Sequence, residues 1–329
     1  MLIILDTYFC QIFQVMELIK DIENWDFTGS GIVTIGTFDG VHLGHKHLLQ
    51  HLNQLKTDIN QKSIVFTFDP HPRKVLFPEQ LDLQLLTTLE ERIDLIKQAG
   101  VDILVIYPFN VEFSQIEPVV FIKNLLCDRL KIKKLVIGYD HKFGKDRKGD
   151  INTFKLLAAS CDYTVDEIPV QEINELNISS TRIRKALFTG DVKTASMNLG
   201  YNYQISGRVI SGKKLGRTIG FPTANLEVND KDKLIPASGV YLIKVDIDNI
   251  VYHGMMNIGT NPTTDSDNKL KLEVNIFNFD KEIYGSTLKV EFLERIRDEQ
   301  KFNSVKELVE NLETDENKCK ELLKKINLS

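Results

Sequence analysis

Two histidines three residues apart, His42 and His45, stand in the string GTFDGVHLGHKHLL (36–49), directly after the apolar, β-rich run GIVTIGTF (31–38). A buried strand that ends in a glycine-bearing turn and runs into a helix is where open parallel sheets bind ligands, beyond the carboxyl ends of their strands. The helix start adds free N–H groups and the positive end of the helix dipole, which suit a phosphate. Residues i and i+3 share a helix face, so both imidazoles should point the same way. Gly40 and Gly44 permit close approach of the backbone to a ligand. No carboxylate or cysteine nearby completes a metal-ligand set, so phosphate chemistry is the stronger reading.

Three more segments of the first half fall where strand ends are expected. TFDPHPRKV (67–75) offers Asp69 and His71 on a loop stiffened by Pro70 and Pro72. GYDHKFGKDRKGD (138–150) combines glycines with Asp140, Lys142, Lys145 and Arg147, and suits a phosphate or a flavin as well as it suits solvent. ISSTRIRKAL (178–187) starts a helix with Ser179, Ser180 and Thr181 as cap candidates. Capping accounts for the hydroxyls but not for Arg182 and Arg184, either of which could reach a phosphate.

The second half carries its own chemistry in SGRVISGKKLGRTIGFPTANLEV (206–228). Gly207, Gly212, Gly216 and Gly220 surround Lys213, Lys214 and Arg217, without the GxxxxGK(S/T) spacing of a Walker loop. The hydroxyl of Thr223 and the amide of Asn225 are hard oxygen donors of the kind Mg²⁺ takes alongside phosphate and water. In LEVNIFNF (272–279), Leu272, Val274 and Ile276 share one strand face while Glu273 and Asn275 share the other. Glu273 could take the proton of an attacking hydroxyl, or simply face solvent. RIRDEQKF (295–302) adds Arg295, Arg297 and Glu299.

The elements that must position these residues follow from periodicity. Short continuous apolar runs at 31–38, 62–68, 101–109, 133–138 and 163–170 alternate with amphipathic segments at 43–56, 89–100, 118–130, 151–160 and 180–190. That alternation predicts an α/β domain with a parallel sheet covered on both faces. From Tyr203 the pattern changes to strands separated by Gly, Asn, Asp and Pro turns (203–210, 239–247, 250–259, 270–279, 287–296), which predicts an antiparallel sheet or barrel, followed by one or two helices over 303–326. The expected division is residues 1–190, a linker at 191–202, and residues 203–329.

With 329 residues the chain has room for about two domains at roughly 150 residues each. A net charge of −5 argues against nucleic acid as the main partner. The four cysteines are scattered without a CxxC pair, which fits reduced thiols in the cytoplasm. No apolar run reaches the ~18 residues of a membrane span. The N-terminal run MLIILDTYFCQIFQ lacks a basic n-region, so no signal peptide is expected, and Met16 offers an alternative start.

The His-x-Gly-His string resembles the signature of the adenylyl-transferring nucleotidylyltransferases. With GxxxGRxxGFPTAN the whole chain from about 30 to 325 resembles the bifunctional bacterial riboflavin kinase/FMN adenylyltransferases, the prokaryotic FAD synthetases. This resemblance implies a Rossmann-like nucleotidylyltransferase domain followed by a β-barrel kinase domain. It also implies two reactions, riboflavin plus ATP to FMN, then FMN plus ATP to FAD and pyrophosphate, with Mg²⁺. By the same resemblance, Gly36, Phe38, Asp39, Gly40, His42, Gly44, His45, Ser180, Thr181 and Arg184 would surround ATP in the adenylyltransferase. Asp69, His71, Asp140 and Arg147 would lie around its flavin. In the kinase, Gly212, Lys213, Gly216 and Arg217 would contact phosphates. Thr223 and Asn225 would hold Mg²⁺, Glu273 would be the general base, and Arg297 would lie near the flavin. Lys142 replaces a common Arg, and Asn275 and Asn278 replace a common His and Asp, which bears on flavin affinity rather than on Glu273. Still open at this level are a chain with one live activity, a transferase making another coenzyme, a non-catalytic flavin binder, and a homo-oligomer.

Overall fold

The computed structural model describes residues 15–79, 83–138, 143–145, 148–168, 178–212, 215–260 and 270–326. The chain divides into two compact units, Met1–Leu81 with Leu89–Leu176, and Asp82–Thr88 with Asn177–Ser329.

The first unit is a six-stranded sheet in the order β1-β4-β3-β2-β5-β6, with every neighbouring pair parallel. Its strands are β1 (Glu17–Ile19), β2 (Ser30–Ile35), β3 (Gln61–Asp69), β4 (Ile103–Pro108), β5 (Ile132–Gly138) and β6 (Thr164–Ile168). Its helices are α1 (Leu43–Gln54), α2 (Pro72–Leu76), α3 (Leu89–Gln98), α4 (Val111–Ser114), α5 (Pro118–Phe121, continuing as a π-helical stretch Ile122–Arg129) and α6 (Ile151–Cys161). The inner strands β2 and β3 are buried on both faces, which is why they read as unbroken apolar runs, whereas the edge strands β1 and β6 are partly exposed. The chain steps from β2 through β3 to β4, then returns to place β5 on the other flank of β2. The connections after β2 and β5 therefore part, which by topology makes the carboxyl end of β2 the expected place for a ligand.

The second unit opens with α7 (Ser180–Phe188) and α8 (Val192–Leu199). A closed barrel follows, in the order β10-β11-β8-β7-β12-β9. Its strands are β7 (Gln204–Ile210), β8 (Ala224–Glu227), β9 (Gly239–Ile247), β10 (Ile250–Thr260), β11 (Leu270–Ile276) and β12 (Thr287–Arg297). The short helix α9 (Leu215–Thr218) lies between β7 and β8, and α10 (Val305–Ile326) ends the chain as one helix. β8 is only four residues long, and its Pro-Thr start reads as a turn in the sequence. In the barrel it is the strand that joins β7 to β11.

The compact division at 176/177 differs from the boundary expected at 190–202. Ile183, Leu187, Val192, Ala195 and Leu199 of α7 and α8 are buried in the barrel core with Tyr203, Tyr241 and Phe292. Segment 82–88 also belongs to this unit. Leu85 bridges Lys233 in parallel, with Leu234 N donating to Leu85 O at 2.8 Å. The buried Lys233 ammonium donates to Leu86 O at 2.7 Å and lies 4.6 Å from the Tyr203 ring centre. Arg184 Nε donates to Gln84 O at 2.8 Å.

Leu86 is fully buried in this core. Leu86→Ala should therefore remove about 2–5 kcal/mol from the second unit. Native-state hydrogen exchange should show this as faster exchange of the barrel amides while the first unit's sheet keeps its protection.

Candidate active sites

Residues 36–42 turn over the end of β2 and enter α1. Phe38 (φ +50°), Gly40 (φ +84°) and Val41 (φ +34°) all take left-handed backbone. For Phe38 and Val41 that geometry is costly, and it is held by burying both side chains. His42 caps α1, its Nδ1 accepting from His45 N at 3.3 Å. The two imidazoles stack with ring centres 3.7 Å apart and planes 12° apart, and Phe38 lies 5.1 Å from His45. A side chain at position 44 would crowd the His42 ring, with Cβ at 3.3 Å, so Gly44 makes room for the stack.

The Nδ1 of His45 is buried and has no hydrogen-bond partner. Burial, and then the neighbouring His42, hold the His45 imidazole well below its ordinary value. His45 is therefore a neutral hydrogen-bonding group set at a helix N-terminus.

The loop after β3 lies beside this turn. Asp69 is half exposed, and its Oδ1 is 3.6 Å from the Arg92 guanidinium. His71 is buried and caps α2, with Nδ1 accepting from Arg73 N at 3.2 Å. Arg92, on α3, donates to Thr37 O at 2.9 Å and to Phe68 O at 3.0 Å. Burial pulls its guanidinium down from its ordinary value, opposed by Asp69 and Asp39. Arg92 is absent from the sequence reading. It had a signal, because it falls on the apolar stripe of α3 with Leu89 and Ile96, where a charge has to be explained.

In the second unit Glu273 pairs with Asn225 of β8 on one side and with Asn257 of β10 on the other. Asn257 pairs in turn with Val240, and Val240 with Arg297. Directly opposed residues share a sheet face, so Arg297, Val240, Asn257, Glu273 and Asn225 form one row. The row lies outside the barrel, since Leu272, Val274 and Ile276 fill the inside as the alternation requires. Burial raises the Glu273 carboxyl above its ordinary value, opposed by Lys271.

The glycine-rich string packs tightly on this row. A methyl group at Gly212 would collide with the Asn225 amide, and one at Gly216 with Phe221 O, lying 3.0 Å from Thr223 Oγ1. Asn275 Nδ2 donates to Pro222 O at 2.8 Å and so ties β11 to the Pro-Thr-Ala-Asn turn. A cavity of about 370 Å³ opens beside Thr223, lined also by Arg217, Phe279, Glu282 and Tyr284. Arg217 reaches Glu282 at 3.4 Å, both exposed. Of the two oxygen donors only the Thr223 hydroxyl lines this cavity; with the Asn225 amide two residues on, the pair fits a hard divalent ion that keeps most of its shell for phosphate and water.

Arg297 is engaged rather than free. Its Nε donates to both oxygens of the buried Asp315 at 3.0 and 2.9 Å, and it clamps α10 to the barrel over Val240, Leu242, Met255 and Cys319. Asp315 is another residue missing from the sequence reading, again a charge on an apolar stripe, between Leu312 and Cys319. Ser179, not Ser180 or Thr181, caps α7, by accepting from Arg182 N at 3.3 Å. These residues and Arg184 fall within the second unit. Asp140, Lys142, Arg147 and Lys213 lie outside the described residues.

Comparison with known proteins matches both halves. The family described as FAD synthetase matches residues 26–182, and the family described as riboflavin kinase matches residues 199–323. The chain is 39% identical over 86% of its length to the bifunctional riboflavin kinase/FMN adenylyltransferase of Bacillus subtilis, covering 90% of that protein. It is 35% identical to that of Escherichia coli K12, over 92% of this chain and 96% of the relative. A crystal structure from Streptococcus pneumoniae, described as a macrolide-efflux protein, superposes with a TM-score of 0.82 at 35% identity, over 92% of this chain and 98% of that one. Among the described residues of this chain no helix is long and apolar enough to cross a membrane.

The depressed His45 titration has a consequence for stability. The unfolded chain takes up a proton near the ordinary imidazole value of 6.5 and the folded one does not. Unfolding is thus favoured as pH falls below that value and opposed above it. The first unit should lose stability between about pH 7.5 and 5.5, and His45→Gln should flatten that slope in urea titrations at the two ends.

Proposed function

We propose, from the premise that the chain belongs to the bifunctional riboflavin kinase/FMN adenylyltransferase family, that its two units carry the family's two reactions on the residues described above. The chain phosphorylates riboflavin to FMN and adenylylates FMN to FAD, with ATP as co-substrate in both steps. The observation that carries the residue assignment is the row Asn257–Glu273–Asn225 on the outer barrel face, next to Thr223 and the glycine-rich string.

In the kinase, Glu273 takes the proton from the 5′-hydroxyl of riboflavin as that oxygen attacks the γ-phosphorus of ATP. The bond to the β–γ bridging oxygen breaks and ADP leaves. Its raised carboxyl pKa improves the match to a proton leaving an alcohol. Thr223 and Asn225 are the residues that would hold Mg²⁺, which neutralises phosphate charge when bound. Gly212 and Gly216 let the glycine-rich string lie directly against Asn225 and Phe221, and Arg217 supplies an exposed positive charge. Asn275 holds the Thr223 turn in register with Glu273.

In the adenylyltransferase a phosphate oxygen of FMN attacks the α-phosphorus of ATP, and pyrophosphate leaves. The first turn of α1 presents backbone N–H groups, and the stacked His42 and His45 lie beside them. An arriving triphosphate favours the protonated imidazole, so His45 gains positive character as phosphate charge develops. Asp69 and His71 stand at the next strand end and are assigned to the flavin side. The three described cysteines, Cys127, Cys161 and Cys319, are free thiols, which supports the cytoplasm as the location.

Glu273→Gln should lower FMN formation by at least ~10²-fold while supplied FMN is still converted to FAD. His45→Ala should do the reverse. Chromatographic separation of the flavins reads both, and loss of both reactions in both variants would overturn the division of labour. Because the base must be ionised, kinase kcat/KM should fall as pH drops through the raised Glu273 value. That acid limb should lie above the ordinary carboxyl value of 4.5 and vanish in the residual activity of Glu273→Gln.

A further inference from the structure

We propose that Arg92 is a positioning residue for adenylyl transfer, setting the loop that carries His42 and His45 against the loop that carries Asp69. This rests on the assignment of adenylyl transfer to the first unit.

Backbone pairing between β2 and β3 ends at Ile35 and Phe66. Beyond that rung the two chains have to part, one toward Phe38 and α1, the other toward Asp69 and α2. Arg92 enters at this point from α3. One arm of its guanidinium takes Thr37 O at 2.9 Å, and the other takes Phe68 O at 3.0 Å, with Asp69 Oδ1 at 3.6 Å. The guanidinium is in effect one more rung across these two strands, made by a side chain where the β2–β3 ladder has ended while β3 is still paired with β4 through Asp69. Thr37 immediately precedes Phe38, whose left-handed backbone starts the turn into His42. Phe68 immediately precedes Asp69. Thr67 Oγ1 also donates to Thr37 O at 3.4 Å and β4 pairs with Phe68 and Asp69, so the guanidinium is the group that ties the first loop to a strand end already anchored.

A merely structural role is a poor account of this side chain. It is 5% exposed, its Nε has no hydrogen-bond partner among the described residues, and of the two carboxylates that favour its charge Asp39 is buried and Asp69, at 3.6 Å, is half exposed. Buried ion pairs as a whole are weak sources of stability compared with apolar packing. The rigid fork geometry does something an apolar group cannot, which is to hold two carbonyls at a fixed separation. Reacting groups misplaced by about 1 Å lose on the order of 10²-fold in rate.

The test uses the full chain with Arg92→Met and Arg92→Lys. FMN to FAD is followed for kcat and both KM values, and riboflavin phosphorylation and the thermal midpoint are read on the same samples. Arg92→Met should lower adenylylation kcat by about 10–100-fold. Both KM values should stay within about threefold, because ground-state binding is not what is lost. Kinase rate should hold, and the first unit should stay folded at the assay temperature although two carbonyls lose their donor. Arg92→Lys keeps the charge but reaches one carbonyl only, so it should fall between wild type and Met. Unchanged kcat in both variants would overturn the proposal. So would a loss matched by the kinase rate or by the fraction unfolded, since that is an architectural role. Should Arg92→Met fail to fold, Arg92→Lys decides on the same readouts. A wild-type chain that forms FMN but never FAD would refute the underlying assignment instead, and Arg92's role with it.

Discussion

A one-residue slip of β11 against β8 would turn Leu272, Val274 and Ile276 out of the barrel and drive Glu273 and Asn275 into it. The period of two leaves no intermediate arrangement, and a carboxylate and an amide in that core would be costly without partners. Register here is therefore set by hydrophobic burial, and the reactive carboxyl inherits its place from the core behind it. Its neighbours follow from the same rungs, with Asn225 on one side and Asn257 on the other. The glycines at 212 and 216 then answer a spatial demand, because the Asn225 and Thr223 side chains fill the space a Cβ would need.

The first unit reaches an equivalent result by topology. Strand order reverses beside β2, so the turn into α1 lies where neighbouring connections part, and the helix start supplies the N–H groups. Burial then does the same thing at both sites. It holds His45 below its usual value and Glu273 above its own, in each case favouring the uncharged form. An imidazole kept neutral for hydrogen bonding and a carboxyl ready to take a proton are different tools made by one desolvation effect.

Charges on apolar stripes were the signal least used in reading the sequence. Arg92 on α3 and Asp315 on α10 occupy positions where the helical period calls for Leu or Ile. Both turn out to span elements, Arg92 across two strand ends and Asp315 to Arg297. Arg297 had been expected beside a flavin. Opposed rungs do place it on the Glu273 face, three strands away and so roughly 14 Å off, but its guanidinium is committed to Asp315.

The sequence by itself determined the α/β half and the antiparallel half, the histidine pair sharing a face at a helix start, and the face on which Glu273 lies, while the stacking of the histidines and the closure of the barrel came with the fold. Each of these follows from a period of 3.6 or 2 or from a spacing of three, which only residues within one element need to satisfy. The boundary between the units, the insertion of Leu86 into the barrel core, the clasp of Arg184 on Gln84 and the bracing by Arg92 were decided by the tertiary structure. Lys233 and Leu86 are 147 positions apart and Arg184 and Gln84 are 100 apart. Contacts at such separations depend on which buried surfaces meet once the elements have packed, and no local pattern encodes that.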